Sequence, residues 1–386
     1  MNTKRFLILI IAFVISLIGI SFYGGAITYV FFLTVLMIPP VCFLYIACVI
    51  ASLKIYQRTE GRDMVCETPS DFYITLQNEG WFSFSSLRLC FYSSFSTITG
   101  LKEGICLELP PHSSLLQKTG LICRYRGQYD VGVKKIIVGD FLGIFFWTYK
   151  IREPLNVIVS PAITHLSGLS GREDPYDSGR DSYMDRNMPD ITVKEYIPGD
   201  DVRFLHWKAS AARQKLMMRE KKSEEKKGIV MIMDPRRYEE RMEGYLPPEN
   251  KMIELLLALS LYYVEKNIPV DVISSDIQKN AVSDTASFEA LYELMRTYSF
   301  RKEMTLKEIL ARQYETGALS EYRMLIFLIS EQDKEAFGWI EKVNPGNLPV
   351  RIYVVGQKGY AADRDDGSGD REVIYIGTDS PLEESI

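Results

Sequence analysis

The sequence predicts a multidomain chain: a transmembrane helical hairpin, then an all-β sandwich-like domain, then a doubly wound α/β domain. Three observations carry this. Residues 6–53 contain no Asp, Glu, Lys or Arg; residues 64–150 hold short alternating runs between turn residues; residues 228–386 alternate apolar strands with helical segments. At 386 residues the chain is too long for one ordinary domain. The boundaries expected are 1–53 for the hairpin, 54–158 for the β domain, 159–227 for a linker and motif segment, and 228–386 for the α/β domain.

A spanning helix needs about 20 apolar residues, so the charge-free run is long enough for two. The first is expected near Phe6–Phe22 and the second near Ile27–Leu53, joined at Tyr23-Gly24-Gly25. Pro39 and Pro40 predict a kink in the second helix, absorbed by neighbouring packing. Lys4 and Arg5 precede the first span; Lys54, Arg58 and Arg62 follow the second; the turn has no charge. The positive-inside rule then places both termini in the cytoplasm of a multi-pass cell-membrane protein. A cleaved leader is the competing reading of Lys4 and Arg5; the second apolar run would still anchor such a chain.

Alternation in Phe72–Gln77 and Leu87–Tyr92 predicts half-buried strands, and Ile105–Leu109, Leu121–Tyr125 and Lys135–Val138 continue the pattern. Asn78-Glu79-Gly80, Pro110-Pro111 and Arg126-Gly127 separate them, as in an antiparallel sandwich or barrel. The segment 160–190, rich in Gly, Ser, Asp and Arg, reads as an irregular linker. Beyond it, Gly228–Asp234 is a continuous apolar run ending in an acid, as in a buried parallel strand. Asn250–Asn267 reads as a helix, Pro269–Asp276 as a strand, Ser287–Tyr298 and Leu306–Tyr314 as helices. Tyr322–Ser330 is the most apolar strand, Glu331–Val343 a helix, Pro349–Gly356 a strand and Val373–Ile376 a last edge strand. This order implies helices on both faces of a largely parallel sheet.

Charge and composition exclude several classes. With 45 Lys+Arg against 50 Asp+Glu, the chain lacks the basic excess of a nucleic-acid binder. All the acids, and all the bases but Lys4 and Arg5, lie beyond residue 53, so the body is acidic. Three separated histidines, His112, His165 and His206, argue against a zinc site. Six cysteines without C-x-x-C spacing read as plain thiols. No P-loop, dinucleotide fingerprint, zincin motif or nucleophile elbow is present. Catalytic residues, metal and cofactor are therefore all expected to be absent.

Asp234 ends the first parallel strand, where ligands bind in such sheets. Arg236 and Arg237 beside it oppose a cation, so a salt bridge or loop cap is the expected role. Gly199-Asp200-Asp201 is a turn with paired carboxylates, by default capping a helix that begins near Val202. Trp207 is expected to be a buried anchor between domains, its truncation costing about 3–5 kcal/mol, with Arg203 and Lys208 pairing the acids. The basic stretch 213–227 could touch anionic lipid, although its interspersed Glu residues favour internal ion pairs. Asp363, Asp365, Asp366, Asp370 and Glu372 imitate a calcium loop but read as an acidic surface loop.

Three stretches together resemble a bacterial membrane protein family catalogued as domain of unknown function fifty-eight. The strongest is Glu195-Tyr196-x-x-Gly199-Asp200-Asp201-x-Arg203-x-x-His206-Trp207-Lys208-Ala209-Ser210-Ala211, followed by Arg219-Glu220. The second is Arg126-Gly127-x-Tyr129-x-Val131-Gly132 with Asp140-Phe141-x-Gly143-Ile144-Phe145. The third is the order of hairpin, β domain, signature and α/β domain. The resemblance implies a von Willebrand factor A-like C-terminal domain, with Tyr196, Gly199, Asp200, Asp201, Arg203, Trp207, Lys208 and Ser210 as an interaction or structural signature. It also implies a MoxR-type AAA+ ATPase and a transglutaminase-like membrane protein as partners. Such domains often hold a divalent ion at a D-x-S-x-S loop; here the stretch is Asp234-x-Arg236-x-Tyr238, and both serines are missing. The later acid expected of such a site is Glu331 or Asp333.

The leading expectation is a membrane-tethered cytoplasmic scaffold or adaptor, not an enzyme and not a nucleic-acid binder. The alternatives are a metal-dependent hydrolase using Asp200, Asp201 and Asp234, and an anionic lipid-binding module using 213–227.

Overall fold

The computed structural model describes residues 3–61, 63–101, 104–151, 153–169, 192–197, 205, 207–220, 227–275, 279–344, 348–356 and 371–382. The chain divides into two compact units, Met1–Ala162 and Ile163–Ile386.

The first unit opens with α1 (Thr3–Tyr23) and α2 (Ala26–Ser52), both long and apolar enough to cross a membrane. Gly24 ends α1 at φ 57°, its N–H donating to Ile20 O at 3.2 Å, a left-handed cap that suits glycine. Pro39 and Pro40 lie inside the continuous α2. The chain then passes directly into β1 (Leu53–Thr59), followed by β2 (Asp63–Val65), β3 (Pro69–Asn78), β4 (Phe84–Phe91), β5 (Ser96–Thr99) and β6 (Cys106–Leu109). Next come β7 (Ser114–Cys123), β8 (Gly127–Val131), β9 (Val133–Gly139), β10 (Phe146–Lys150) and β11 (Leu155–Ser160).

These strands form three sheets, ordered β1-β3-β7-β5, β10-β9-β4-β6 and β2-β11-β8. All pairings are antiparallel except β2 with β11. The period-2 pattern explains the core: Phe72, Ile74 and Leu76 of β3 face inward with Leu87 and Leu89 of β4 and Ile136 and Val138 of β9. The strand expected at Leu121–Tyr125 is the end of a longer β7.

Two turns of this unit coincide with the second stretch of the resemblance. Gly132 has φ 83°, and a Cβ there would collide with Gln57, whose Oε1 accepts from Val133 N at 2.7 Å. Tyr129 is buried, its hydroxyl donating to Tyr125 O at 2.8 Å. In the second turn Asp140 is 1% exposed, and its Oδ1 accepts from Ile144 N at 2.7 Å and Phe145 N at 3.1 Å. Cys42 of α2 lies against the same carboxylate. Gly143, at φ 64°, leaves room for Arg5, which donates to Leu142 O at 2.7 Å. The turn therefore fastens the helical hairpin to the sheets.

The second unit begins with β12 (Thr192–Glu195), α3 (Trp207–Arg213) and β13 (Met217–Glu220), where β12 and β13 pair antiparallel. It continues with β14 (Lys227–Met233), α4 (Met242–Glu265), β15 (Val270–Ile273), β16 (Asn280–Val282), α5 (Thr285–Thr297) and α6 (Leu306–Thr316). The last elements are β17 (Tyr322–Ser330), α7 (Ala336–Val343), β18 (Val350–Gly356) and β19 (Arg371–Gly377). Six of the strands form one sheet, ordered β16-β15-β14-β17-β18-β19, parallel throughout except for β16.

Alternate residues of the central strands serve opposite faces, which is why the runs read as continuously apolar. Ile229, Met231, Ile326 and Leu328 pack with Leu255 and Leu259 of α4 and Phe288 and Leu291 of α5. Val230, Ile232, Phe327 and Ile329 pack with Leu306 and Leu310 of α6 and Ile340 and Val343 of α7. Two helix boundaries differ from expectation. α4 starts at Met242, upstream of Asn250, and runs through Pro247 and Pro248. α7 starts at Ala336, because residues 331–335 are spent on turns in which Ser330 and Asp333 accept backbone bonds. Most of the expected linker, 170–191, and the acids Asp363, Asp365, Asp366 and Asp370 lie outside the described residues.

Candidate functional site

The carboxyl edge of the six-stranded sheet gathers Asp234 after β14, Ser274 after β15, and Ser330, Glu331 and Asp333 at the end of β17. Asp234 is 1% exposed, and its own N–H donates to Leu328 O at 2.9 Å. Its Oδ1 accepts from Arg236 N at 3.0 Å, and its Oδ2 accepts from the Tyr238 hydroxyl at 2.8 Å. Burial pushes the Asp234 carboxyl up to about 6, with the Asp333 charge adding to the rise and the Tyr238 and Arg236 bonds opposing it. The Tyr238 phenol is raised as well, first by burial and then by Asp234.

The loop after Asp234 is held from outside too. Arg301 N donates to Pro235 O and Arg237 N to Arg301 O, both at 3.0 Å. Arg237 makes a two-pronged pair with Glu249 of α4, Nε to Oε1 at 2.6 Å and Nη2 to Oε2 at 2.9 Å, and lies over the Tyr245 ring. Arg236 is exposed and lies over the Tyr238 ring. On the neighbouring strands the Ser274 and Tyr298 hydroxyls are bonded to each other, and the Glu331 carboxylate lies against Gly356.

Asp234 is thus a loop cap, one of its two expected roles. The salt bridge expected with the adjacent arginines is absent among the described residues: Arg237 turns to Glu249. Tyr238 and Glu249 were not singled out as partners from the sequence. Tyr238 stands where the resemblance implied the second metal-loop serine, and its hydroxyl donates to the Asp234 carboxylate. Among the described residues no group of three or more His, Cys, Asp and Glu side chains could hold a metal ion. The described residues give this edge a capping carboxylate, one buried carboxyl that can exchange a proton, and the exposed Arg236.

The signature segment is a second candidate. Gly199, Asp200, Asp201, Arg203 and His206 lie outside the described residues, so the paired-acid cap and two of the three carboxylates of the hydrolase alternative fall there. The flanks form a small β-α-β unit. Tyr196 N donates to Leu216 O at 2.8 Å, and Lys215 pairs with Glu195 at 2.8 Å. Ser210 is buried, and its Oγ accepts from Met217 N at 2.8 Å, tying α3 to β13. Trp207 is 71% exposed, which corrects the expectation of a buried anchor: it stands at the first turn of a short helix whose inward position is taken by Ser210. Lys208 is exposed as well.

Residues 192–300 match the family model described as "Protein of unknown function DUF58". The matched model is that of the family the signature resembles, and the match spans the signature, β14, Asp234, α4 and α5. No curated protein matches the chain. Among solved structures, a CARDB domain from Pyrococcus furiosus matches at 14% identity over 28% of this chain and 91% of its own, with a TM-score of 0.19. A GH20 exo-β-N-acetylglucosaminidase from Vibrio harveyi matches at 8% identity over 79% of this chain and 57% of its own, with a TM-score of 0.18. Cwp6 from Clostridium difficile matches at 10% identity over 78% of this chain and 49% of its own, with a TM-score of 0.18.

Proposed function

We propose that the protein is a membrane-anchored cytoplasmic scaffold or adaptor, held by a two-span hairpin with both termini in the cytoplasm. Its α/β unit acts as a von Willebrand factor A-like docking domain. The partner is a MoxR-type AAA+ ATPase, with a transglutaminase-like membrane protein in the same assembly, and the work is assembly or maturation of a membrane or envelope complex.

One observation carries the non-catalytic reading. At the acid on the ligand-binding edge of the sheet, each carboxylate oxygen accepts a bond from the chain itself, one from Arg236 N–H and one from the Tyr238 hydroxyl. The strand order, with Asp234 at the end of a central strand, supports the von Willebrand A-like assignment. The two apolar helices and the flanking Lys4, Arg5 and Lys54 support the anchoring and its orientation. Exposed Trp207 and Lys208 on the signature, with exposed Ile197 and Leu216 nearby, supply a partner surface of mixed apolar and basic character.

The test is purification of the full chain from its native membranes in mild detergent. Co-elution of an AAA+ ATPase is expected; recovery of the protein alone overturns the adaptor reading. Metal analysis of the dialysed protein separates the hydrolase alternative, which requires a stoichiometric divalent ion. Protease added outside intact cells is expected to spare the C-terminal unit, and its digestion there overturns the topology. The lipid-binding alternative has less support: Lys215 and Lys227 at the two ends of the basic stretch are paired with Glu195 and Glu321.

A further inference from the structure

Two loops of the first unit present large apolar side chains to the outside. Trp81 and Phe82 lie between β3 and β4, and Phe141 and Leu142 between β9 and β10; Trp81 is 83% and Phe141 52% exposed. Residues 80–87 and 141–149 contain no Asp, Glu, Lys or Arg. Isolated exposed apolar residues need no explanation, but two adjoining uncharged loops do.

Both loops close on the same level of the hairpin. The Tyr45 hydroxyl donates to Ser83 O at 2.6 Å and accepts from Ser85 N at 3.2 Å. The Tyr45 ring meets Phe141 at 5.5 Å and Phe82 at 6.3 Å. Arg5 donates to Leu142 O at 2.7 Å, and Phe43 and Phe6 flank Phe145 at 4.8 and 6.2 Å.

Taking the hairpin as membrane-spanning, the reading on which this inference rests, fixes what that level is. Roughly 20 helical residues cross the apolar core, and Arg5 and Tyr45 each stand about that far from the Gly24-Gly25 turn. Arg and Tyr are side chains that settle at the lipid–water boundary. Cover along α2 increases toward that height: Val30 and Leu33 are open and Val35 is buried in the first part, whereas Cys42, Ile46 and Val49 are all buried in the last. The exposed Trp, Phe and Leu of both loops are the residue types that insert at such a boundary.

We infer that the Trp81–Phe82 and Phe141–Leu142 loops are seated in the headgroup–acyl boundary of the bilayer. The β sheets then rest on the membrane as an interfacial wedge beside the hairpin. The occupant of the apolar surface is lipid, because the surface is continuous with the face of α2 that lipid covers.

The experiment compares the full chain with Trp81→Phe in phosphatidylcholine vesicles carrying bromines near the upper acyl chain. Trp81→Phe alters an exposed ring and keeps an aromatic of similar character. The expected result is blue-shifted emission that shallow bromines quench and aqueous iodide does not, with Trp81→Phe removing that quenched fraction. Alkaline carbonate extraction of the same vesicles is the companion measurement. Protein retained after extraction, with Trp81 emission quenched by iodide and untouched by bromines, overturns the wedge and leaves the hairpin reading standing. Protein released by carbonate overturns the spanning hairpin itself, and the wedge with it.

Discussion

Asp140 and Asp234 are equally buried, at 1% exposed, and each closes a tight turn after a strand, yet they do different work. Asp140 accepts from two backbone N–H groups of its own turn and lies against Cys42 of α2, so it shapes a loop that grips the helical hairpin. Asp234 accepts from the Arg236 N–H and from a tyrosine hydroxyl, and its loop is pinned by Arg237–Glu249 and Arg301 rather than by a neighbouring element that it recruits. Burial and residue type do not distinguish them; the donors that surround them do. The first is an architectural joint, the second a sealed sheet edge.

The largest effect is expected at the joint. Asp140→Ala leaves two backbone donors of a buried turn without their acceptor and should lower stability by about 3 kcal/mol. Thermal unfolding in detergent reads it, and an unchanged melting temperature would break the comparison at its stronger side.

At the sealed edge a loss of charge should act in the opposite direction. The Asp234 carboxyl titrates at 3.8 when unexceptional and at about 6 in the fold. A raised carboxyl favours the fold fully below its unfolded value, loses that contribution as pH climbs to its folded value, and is flat above it. Asp234→Asn should therefore stabilise by about 2 kcal/mol at neutral pH, with the gain vanishing below about pH 4. Melting curves across pH check this; a destabilised variant at neutral pH would mean that the bonds from Arg236 N and the Tyr238 hydroxyl outweigh the cost of burying the charge.

Tyr238→Phe sharpens the same point. It removes the bond to Oδ2 at a cost of about 1 kcal/mol and moves the pH step upward, because that bond opposes the rise of the Asp234 carboxyl. A step left in place would deny Tyr238 its part in the seal.

The smallest expected effect on stability is at Trp207. With 71% of it exposed, Trp207→Ala should change stability by no more than about 0.5 kcal/mol. Its readout is partner recovery: loss of co-elution with unchanged melting is expected if the signature is a docking surface.

Much of this architecture was legible because it obeys one-dimensional rules. A run without charge gave both apolar helices, and period-2 alternation gave β3, β4, β6 and β9. Apolar runs gave the parallel strands ending at Asp234 and Ser330. What escaped depends on long-range contact. α4 begins before Pro247 and Pro248, where local propensity says a helix should not, and Glu249 and Lys251 on it are nevertheless buried. Edge strands such as β1 and β10 lack any fully buried residue, so their apolar signal is weak.

At the site, the position of Asp234 at a strand end was readable, and so was the loss of its metal-loop serines. Its tyrosine partner and the Arg237–Glu249 pair were not, since both arise when a loop folds back against α4. Trp207 was misjudged because rarity and a position within a motif suggest burial, whereas the short α3 turns Ser210 inward instead.

Finally, α2 ends at Ser52 and β1 starts at Leu53, with the Leu53 N–H still bonded to Val49 O. A rod that becomes a strand without a swivel transmits torque. In the proposed membrane-anchored state, a tilt imposed on α2 would pass to the sheet that begins on the next residue, which would make lipid composition a mechanical input to the β unit.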